Sequence, residues 1–182
     1  MKIFGIDPGS DRTGYGCVEH IGGRHVLVIC GSLAGPSNAA FPDKLRAIHS
    51  GLAALLSHHR PDCVAIENIF YARNVRSALK LGHARGVALL AASEAGLPVV
   101  EYAPAEIKRA VVGYGRAEKH QVQQMVKLLL GLDAPPAPHD VADALAVALC
   151  HLHAATNGVA LPAPIAHDRR TPRSWRHYRP SS

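Results

Sequence analysis

The sequence predicts an α/β fold, a mixed five-stranded sheet flanked by helices. Two observations carry that reading. Three strand-like runs follow one another at the start, with only short turn signals between them. After them, apolar strands alternate with stretches of helical periodicity. The first pattern is an antiparallel meander. The second is a βαβ pattern, whose strands run parallel through right-handed crossovers.

Each element has its own justification. Residues 2–7, 13–19 and 24–33 read as strands, set apart by Pro8-Gly9-Ser10 and Gly22-Gly23. Leu45, Ile48, Leu52, Leu55 and Leu56 recur at helical spacing, which predicts a helix over 42–58. Residues 62–67 form a strand and 75–95 a long helix. Another strand, 97–102, is entered after Gly96. Helices follow over 105–112, 119–130 and 140–154. From Thr156 the periodicity ends, and Pro162, Pro164, Pro172 and Pro180 interrupt the chain. The expected organisation is one domain over 1–155 and a flexible basic tail over 156–182.

Composition excludes several classes. The chain has 182 residues, 48% of them hydrophobic and 19% charged, which describes a soluble globule with a sizeable core. No apolar run approaches a membrane span, and no signal-peptide pattern follows the first strand. Cys17, Cys30, Cys63 and Cys150 are scattered, with no C-x-x-C pair, so buried free thiols and a cytoplasmic location are expected. The net charge is +6. The tail carries Arg169, Arg170, Arg173, Arg176 and Arg179 against Asp168, a net of +4, which leaves +2 on the body. Basic surface suits a polyanionic partner, although solubility alone would also account for it.

Four carboxylates stand out. Asp7 ends the apolar run Lys2-Ile3-Phe4-Gly5-Ile6, and Glu67 ends Cys63-Val64-Ala65-Ile66. Ligands of α/β sheets bind at the carboxyl ends of strands. If these two strands are neighbours, both acids meet at one rim. Asp140 and Asp143 are three residues apart on a helix, so their directions differ by only about 60°. Both could simply be first-turn acids favoured by the helix dipole. The helix after Asp140 is almost wholly apolar, however, and an unpaired charge on a buried face is costly without a cation. Lys2 lies at the far end of its strand and is badly placed to supply one. Convergent carboxylates suit hard Mg²⁺ or Mn²⁺, and two such ions about 3.5–4 Å apart clamp a scissile phosphate. Phosphoryl-transfer chemistry is the leading expectation. The chain has 12 histidines without ligand spacing, and only His139, beside Asp140, is a candidate for the site.

Phe70-Tyr71-Ala72-Arg73-Asn74-Val75-Arg76 follows Glu67 closely. Adjacent aromatics beside two arginines suit stacking on unpaired bases and contact with phosphate; the alternative is that both rings pack on the core. Ala78, Gly82 and Gly86 lie four apart on the long helix. Glycine inside a helix costs about 1 kcal/mol against alanine, so a close neighbour is expected there, either the sheet or a second subunit.

These residues resemble a known family, the RuvC-type Holliday junction resolvases. The resemblance is carried by Gly5-Ile6-Asp7-Pro8-Gly9-Ser10 with Thr13-Gly14-Tyr15-Gly16, by Ala65-Ile66-Glu67, and by Phe70, Asn74 and the run from Ser77 to Gly86. It continues through Glu101-Tyr102-Ala103-Pro104, Val111-Val112-Gly113-Tyr114-Gly115, Ala117-Glu118-Lys119 and Asp140-Val141-Ala142-Asp143-Ala144-Leu145. It spans residues 1–155, and the blocks together are far more specific than Asp-Pro-Gly alone.

The resemblance implies an RNase H-like fold, a homodimer, paired nicking of four-way DNA junctions and the RuvA–RuvB branch-migration complex as partner. It implies Mg²⁺ or Mn²⁺, two ions per site, held by Asp7, Glu67, Asp140 and Asp143. Some members carry histidine at the first acid of the helix pair. Here Asp140 keeps the three-residue register with Asp143 and is preferred to His139. Water would attack in line, leaving a 5′-phosphate and a 3′-hydroxyl. Lys119 would steady developing charge, and Lys108 would hold the backbone. The expected DNA-binding set is Phe70, Tyr71, Arg73, Asn74, Arg76, Lys80, Lys108 and Lys119, with Phe70 stacking on a base. The Arg-rich tail lies outside the shared pattern. The alternatives are another RNase H-like nuclease and a non-catalytic junction-binding protein. A two-domain sugar kinase or ATPase needs more chain than this one has.

Overall fold

The computed structural model describes residues 1–68, 74–156, 158–159 and 161–165. The elements are β1 (Lys2–Asp7), β2 (Thr13–Ile21), β3 (Arg24–Leu33), α1 (Phe41–His59), β4 (Cys63–Glu67), α2 (Val75–Glu94), β5 (Val99–Tyr102), α3 (Pro104–Val112), α4 (Lys119–Leu130) and α5 (His139–Thr156). The strands form one sheet in the order β3-β2-β1-β4-β5. The meander β1-β2-β3 is antiparallel, whereas β1-β4 and β4-β5 are parallel. The mixed five-stranded sheet is therefore as expected, and β1 is the strand at which its sense changes.

Strand β5 begins at Val99 rather than Leu97. Pro98 has no N–H to give to a ladder, and its carbonyl accepts from the Val64 N–H at 2.9 Å. Helix α5 runs on to Thr156, whose hydroxyl donates to the Leu152 carbonyl at 2.9 Å.

Alternation along the strands divides the core into two layers. Ile3, Val18, Cys63, Ala65 and Val100 pack with α3, α4 and α5. Phe4, Ile6, Cys17, Val64 and Ile66 pack on the other side with Ile48, Leu52 and Leu56 of α1 and Ala88, Ala91 and Ala92 of α2. Helix α5 is the centrepiece: every residue from Ala144 to Leu152 is buried.

That helix lies flat on the sheet because the strands beneath it lack side chains. A Cβ on Gly5 would sit 2.0 Å from the Ala144 carbonyl oxygen, and one on Gly14 would sit 2.0 Å from that of Asp140. A Cβ on Gly16 would strike Leu145. Gly5 pairs with Gly16, and Asp7 with Gly14, so the glycines form one bare patch on adjacent strands.

Beyond α5 the chain runs along the free edge of β5. Pro162 borders the pocket beside Tyr102, and the Ile165 N–H donates to the Val99 carbonyl at 2.8 Å, so this segment runs antiparallel to β5. Pro162 and Pro164 fall at the alternate positions, which face away from β5, and present no donor to a further strand. Among the described residues no helix is long and apolar enough to cross a membrane.

Candidate active site

The period of two along a strand decides where the first two acids point. Ile3, Gly5 and Asp7 share one face of β1, and Cys63, Ala65 and Glu67 share the same face of β4, the face on which α5 lies. Ile6 pairs with Ile66 in the parallel ladder, so Asp7 and Glu67 leave adjacent strands at the same level. Helix α5 begins above them. Asp140 rests over Gly14, the ladder partner of Asp7, and Asp143 follows one turn later. The fourth element is α4, whose first residue, Lys119, places its Nζ 3.4 Å from Asp143 Oδ2.

The electrostatics show how close these groups are. Burial pushes the Asp7 carboxyl up to about 8, helped by the negative charges of Glu67, Asp143 and Asp140; Lys119 opposes the shift. Glu67 is also raised, by burial and then by Asp143, while Lys119 and a hydrogen bond from Asp7 pull it back. Asp143 is raised by burial against the pull of Lys119. In turn Asp143 raises Lys119. One lysine in contact with Asp143, among four carboxylates, leaves a strongly negative site. Lys2 is at the opposite end, donating to the His59 carbonyl at 3.1 Å.

The raised Asp7 carboxyl makes stability depend on pH. Its folded-state pKa lies above the unfolded value of 3.8, so the folded protein holds the proton more tightly. Between about pH 4 and pH 8 the unfolded chain binds fewer protons, and stability falls as pH rises through that window. Thermal unfolding of the metal-free protein should show this fall, and Asp7→Asn should flatten it. An unchanged slope in the variant would mean that Asp7 is not the group responsible.

The donor set suits hard divalent cations: oxygen ligands, partly buried and short of positive charge. Among the described residues, no three His, Cys, Asp or Glu side chains close around a single point as a finished cage. The fit is one of charge, donor type and placement at one rim. Beside the acids, a cleft of about 220 Å³ is lined by Glu67, Asp143, Lys108, Lys119 and the apolar side chains of α3 and α4. It offers two lysines to an anionic group next to two of the carboxylates.

The other expected residues fall out as follows. His139 is the first residue of α5 and is exposed. Phe70, Tyr71 and Arg73 lie outside the described residues. Asn74 caps α2, its side chain accepting from the Ser77 N–H at 2.9 Å. Arg76 and Lys80 are exposed on the first turns of α2, and the Lys80 ammonium lies 5.6 Å from the Phe41 ring centroid. Gly82 and Gly86 do not approach the sheet: a Cβ on either would meet nothing within 4 Å. The sheet is thus removed as the neighbour those glycines were expected to serve.

Sequence reasoning missed two kinds of residue. The glycine bed under α5 was visible only as glycines at alternate strand positions, a pattern that gains meaning once the ladder pairs them. The buried hydrogen bond between Tyr102 Oη and His151 Nδ1, 2.9 Å long, joins β5 to α5 across 49 residues and left no local signal. The Arg85–Glu101 ion pair ties α2 to β5 in the same way.

Comparisons with known proteins identify the family. The family model described as crossover junction endodeoxyribonuclease RuvC matches residues 3–151. A crossover junction endodeoxyribonuclease RuvC from Trichlorobacter lovleyi is 49% identical over 180 residues, covering 99% of this chain and 100% of that protein. The one from Alkalilimnicola ehrlichii is 56% identical over 157 residues, covering 85% of this chain and 92% of that protein. Among solved structures, Thermus thermophilus RuvC superposes with a TM-score of 0.80 at 38% identity, covering 89% of this chain and 99% of that chain. The same protein in complex with Holliday junction substrate matches with a TM-score of 0.80 at 36% identity. The yeast mitochondrial resolvase Ydc2, at 13% identity and a TM-score of 0.60, shares the fold. The fold is RNase H-like, and the chain belongs to the RuvC family of crossover junction endodeoxyribonucleases.

Proposed function

We infer that this protein is a structure-specific endonuclease that resolves four-way DNA junctions in recombination and repair. The observation that carries the reading is the convergence of Asp7, Glu67, Asp140 and Asp143 at one rim, with burial and mutual repulsion raising Asp7 to about 8 and a lysine touching Asp143. Such a site is poorly stable as it stands and matches a divalent-metal phosphodiesterase. Family membership and a solved relative in complex with Holliday junction substrate support the choice of DNA.

The four acids would hold Mg²⁺ or Mn²⁺, two ions per site, which when bound supply a water nucleophile and charge neutralisation at the leaving oxygen. The chain's own groups do the rest. Lys119 holds a positive charge beside the phosphate, where charge develops in the transition state. Lys108 grips the backbone from the other wall of the cleft. Phe70 and Tyr71 stack on bases near the crossover and Arg73 contacts the DNA there, and Arg76 and Lys80 add to that contact. Products are a 5′-phosphate and a 3′-hydroxyl. The four free thiols support a cytoplasmic location, and the RuvA–RuvB branch-migration complex is the partner expected there.

Two symmetric cuts suit a two-fold enzyme. Val75 is 77% exposed, Leu79 60% and Leu90 51%, and with Gly82 and Gly86 they form an outward apolar face on α2. We assign this face to the homodimer contact. Leu79→Glu combined with Leu90→Glu should turn a dimer into a monomer in sedimentation velocity. The variant should still fold, because neither side chain is in the core.

The deciding experiment offers a synthetic four-way junction, linear duplex and an RNA–DNA hybrid, each with and without Mg²⁺ or Mn²⁺. Paired, metal-dependent nicks in the junction alone are expected. Cutting of the hybrid would instead indicate another RNase H-like nuclease, and tight binding without cutting a non-catalytic junction protein.

A further inference from the structure

We propose that Thr13 is a positioning residue that holds the Asp7 carboxylate in place through the turn that follows it. The proposal rests on the reading of Asp7 as a metal ligand. Asp7 and Gly14 are the last ladder pair between β1 and β2. Beyond that pair the sheet no longer restrains the backbone, and the direction of the Asp7 side chain depends on the turn over residues 8–12.

Thr13 closes this turn from inside. Its hydroxyl donates to the Gly9 carbonyl at 3.1 Å and accepts from the Gly9 N–H at 3.4 Å. One side chain thus satisfies both polar groups of the second residue after Asp7. Thr13 is 0% exposed, and with His151 it is one of two buried polar residues among those described. A buried hydroxyl needs partners, and here Gly9 supplies both. The turn is wound so tightly that a Cβ on Gly9 would lie 2.1 Å from the Arg12 carbonyl oxygen. The outer tie, Lys44 Nζ to Asp11 Oδ1 at 3.3 Å, involves an aspartate 85% exposed and adds little.

The lock matters because of what surrounds Asp7. Glu67, Asp140 and Asp143 all repel its charge, and only Lys119 attracts it. A carboxylate in that field swings outward unless its backbone is fixed, and ligands must be held to within about 0.5 Å to bind a metal well. Thr13 touches neither the carboxylate nor the DNA. Its effect passes through the Gly9 backbone.

Thr13→Val keeps the shape and removes the hydroxyl, whereas Thr13→Ser keeps the hydroxyl. Mn²⁺ binding by the DNA-free protein, read from the free-ion electron paramagnetic resonance signal, is measured beside Asp7→Asn. Thr13→Val should need about tenfold more Mn²⁺ for half-saturation, the scale of losing a group that orients a ligand. The Mn²⁺ midpoint for junction cutting should shift with it, and metal-free junction binding should stay unchanged. Thr13→Ser should lie within about twofold of the unaltered protein. Unaltered Mn²⁺ affinity in Thr13→Val, with Asp7→Asn clearly weakened, overturns the proposal. Unaltered affinity in Asp7→Asn overturns the site reading beneath it. If Thr13→Val does not fold, amide exchange of Gly9 in the unaltered protein decides. Protection relative to Ser10 supports the lock, and exchange at the rate of an open turn overturns it.

Discussion

Asp7→Asn should abolish junction cutting and leave junction binding within a few-fold of normal. Asparagine has the same shape but lacks the charge, so the fold has no reason to change. A loss of at least about 10³-fold in single-turnover rate is expected, equivalent to ~4 kcal/mol of transition-state stabilisation. Asp7 is raised to about 8, because it is deeply set and has three carboxylates for neighbours. Binding should persist because affinity for DNA rests on basic contacts to phosphate. The contacts proposed for DNA, on Lys108, Lys119 and α2, keep their side chains in this variant. The same variant should be more stable than the unaltered protein at pH 8 without metal, since it relieves a buried repulsion. Normal cutting by Asp7→Asn would show that the site has been assigned to the wrong residues.

Gly14→Ala should be nearly as damaging, without touching any charged group. The added methyl would stand 2.0 Å from the Asp140 carbonyl oxygen, a backbone atom that cannot rotate away. Helix α5 would have to lift from the sheet at its first turn. Overpacking of this kind costs about 1–3 kcal/mol in stability. The catalytic effect should be larger in proportion, because the turn displaced carries Asp140 and leads to Asp143. A drop of about 100-fold in cutting with a folded, junction-binding protein is the expected outcome. Circular dichroism melts and single-turnover cleavage measure the two parts separately. If Gly14→Ala cuts like the unaltered protein, the glycine bed does not set the position of the acids.

Much of this arrangement was legible because strands and helices write their periods into the sequence. The apolar runs from Lys2 to Ile6 and from Cys63 to Ile66 already put Asp7 and Glu67 at the carboxyl ends of strands. The three-residue step from Asp140 to Asp143 put both on one side of a helix. The apolar run after them announced burial, and every residue from Ala144 to Leu152 is buried. The glycines of α2 were harder to interpret, because a gap in a side-chain row looks the same whether it faces the sheet or the outside.

The sequence by itself determined the elements, their order and the four acids at their ends, because these depend on local period, turn chemistry and charge. Tertiary structure decided which ends meet. Register pairing of Ile6 with Ile66 brought Asp7 level with Glu67. The bare patch of Gly5, Gly14 and Gly16 let α5 descend until Asp140 touched the β1–β2 hairpin. The reach of Lys119 to Asp143 spans 24 residues. Thr13, indistinguishable in sequence from any strand threonine, became the inner tie of the turn after Asp7. These are contacts between segments far apart in the chain. They are set by which surfaces fit without a side chain between them, and no local pattern encodes that fit.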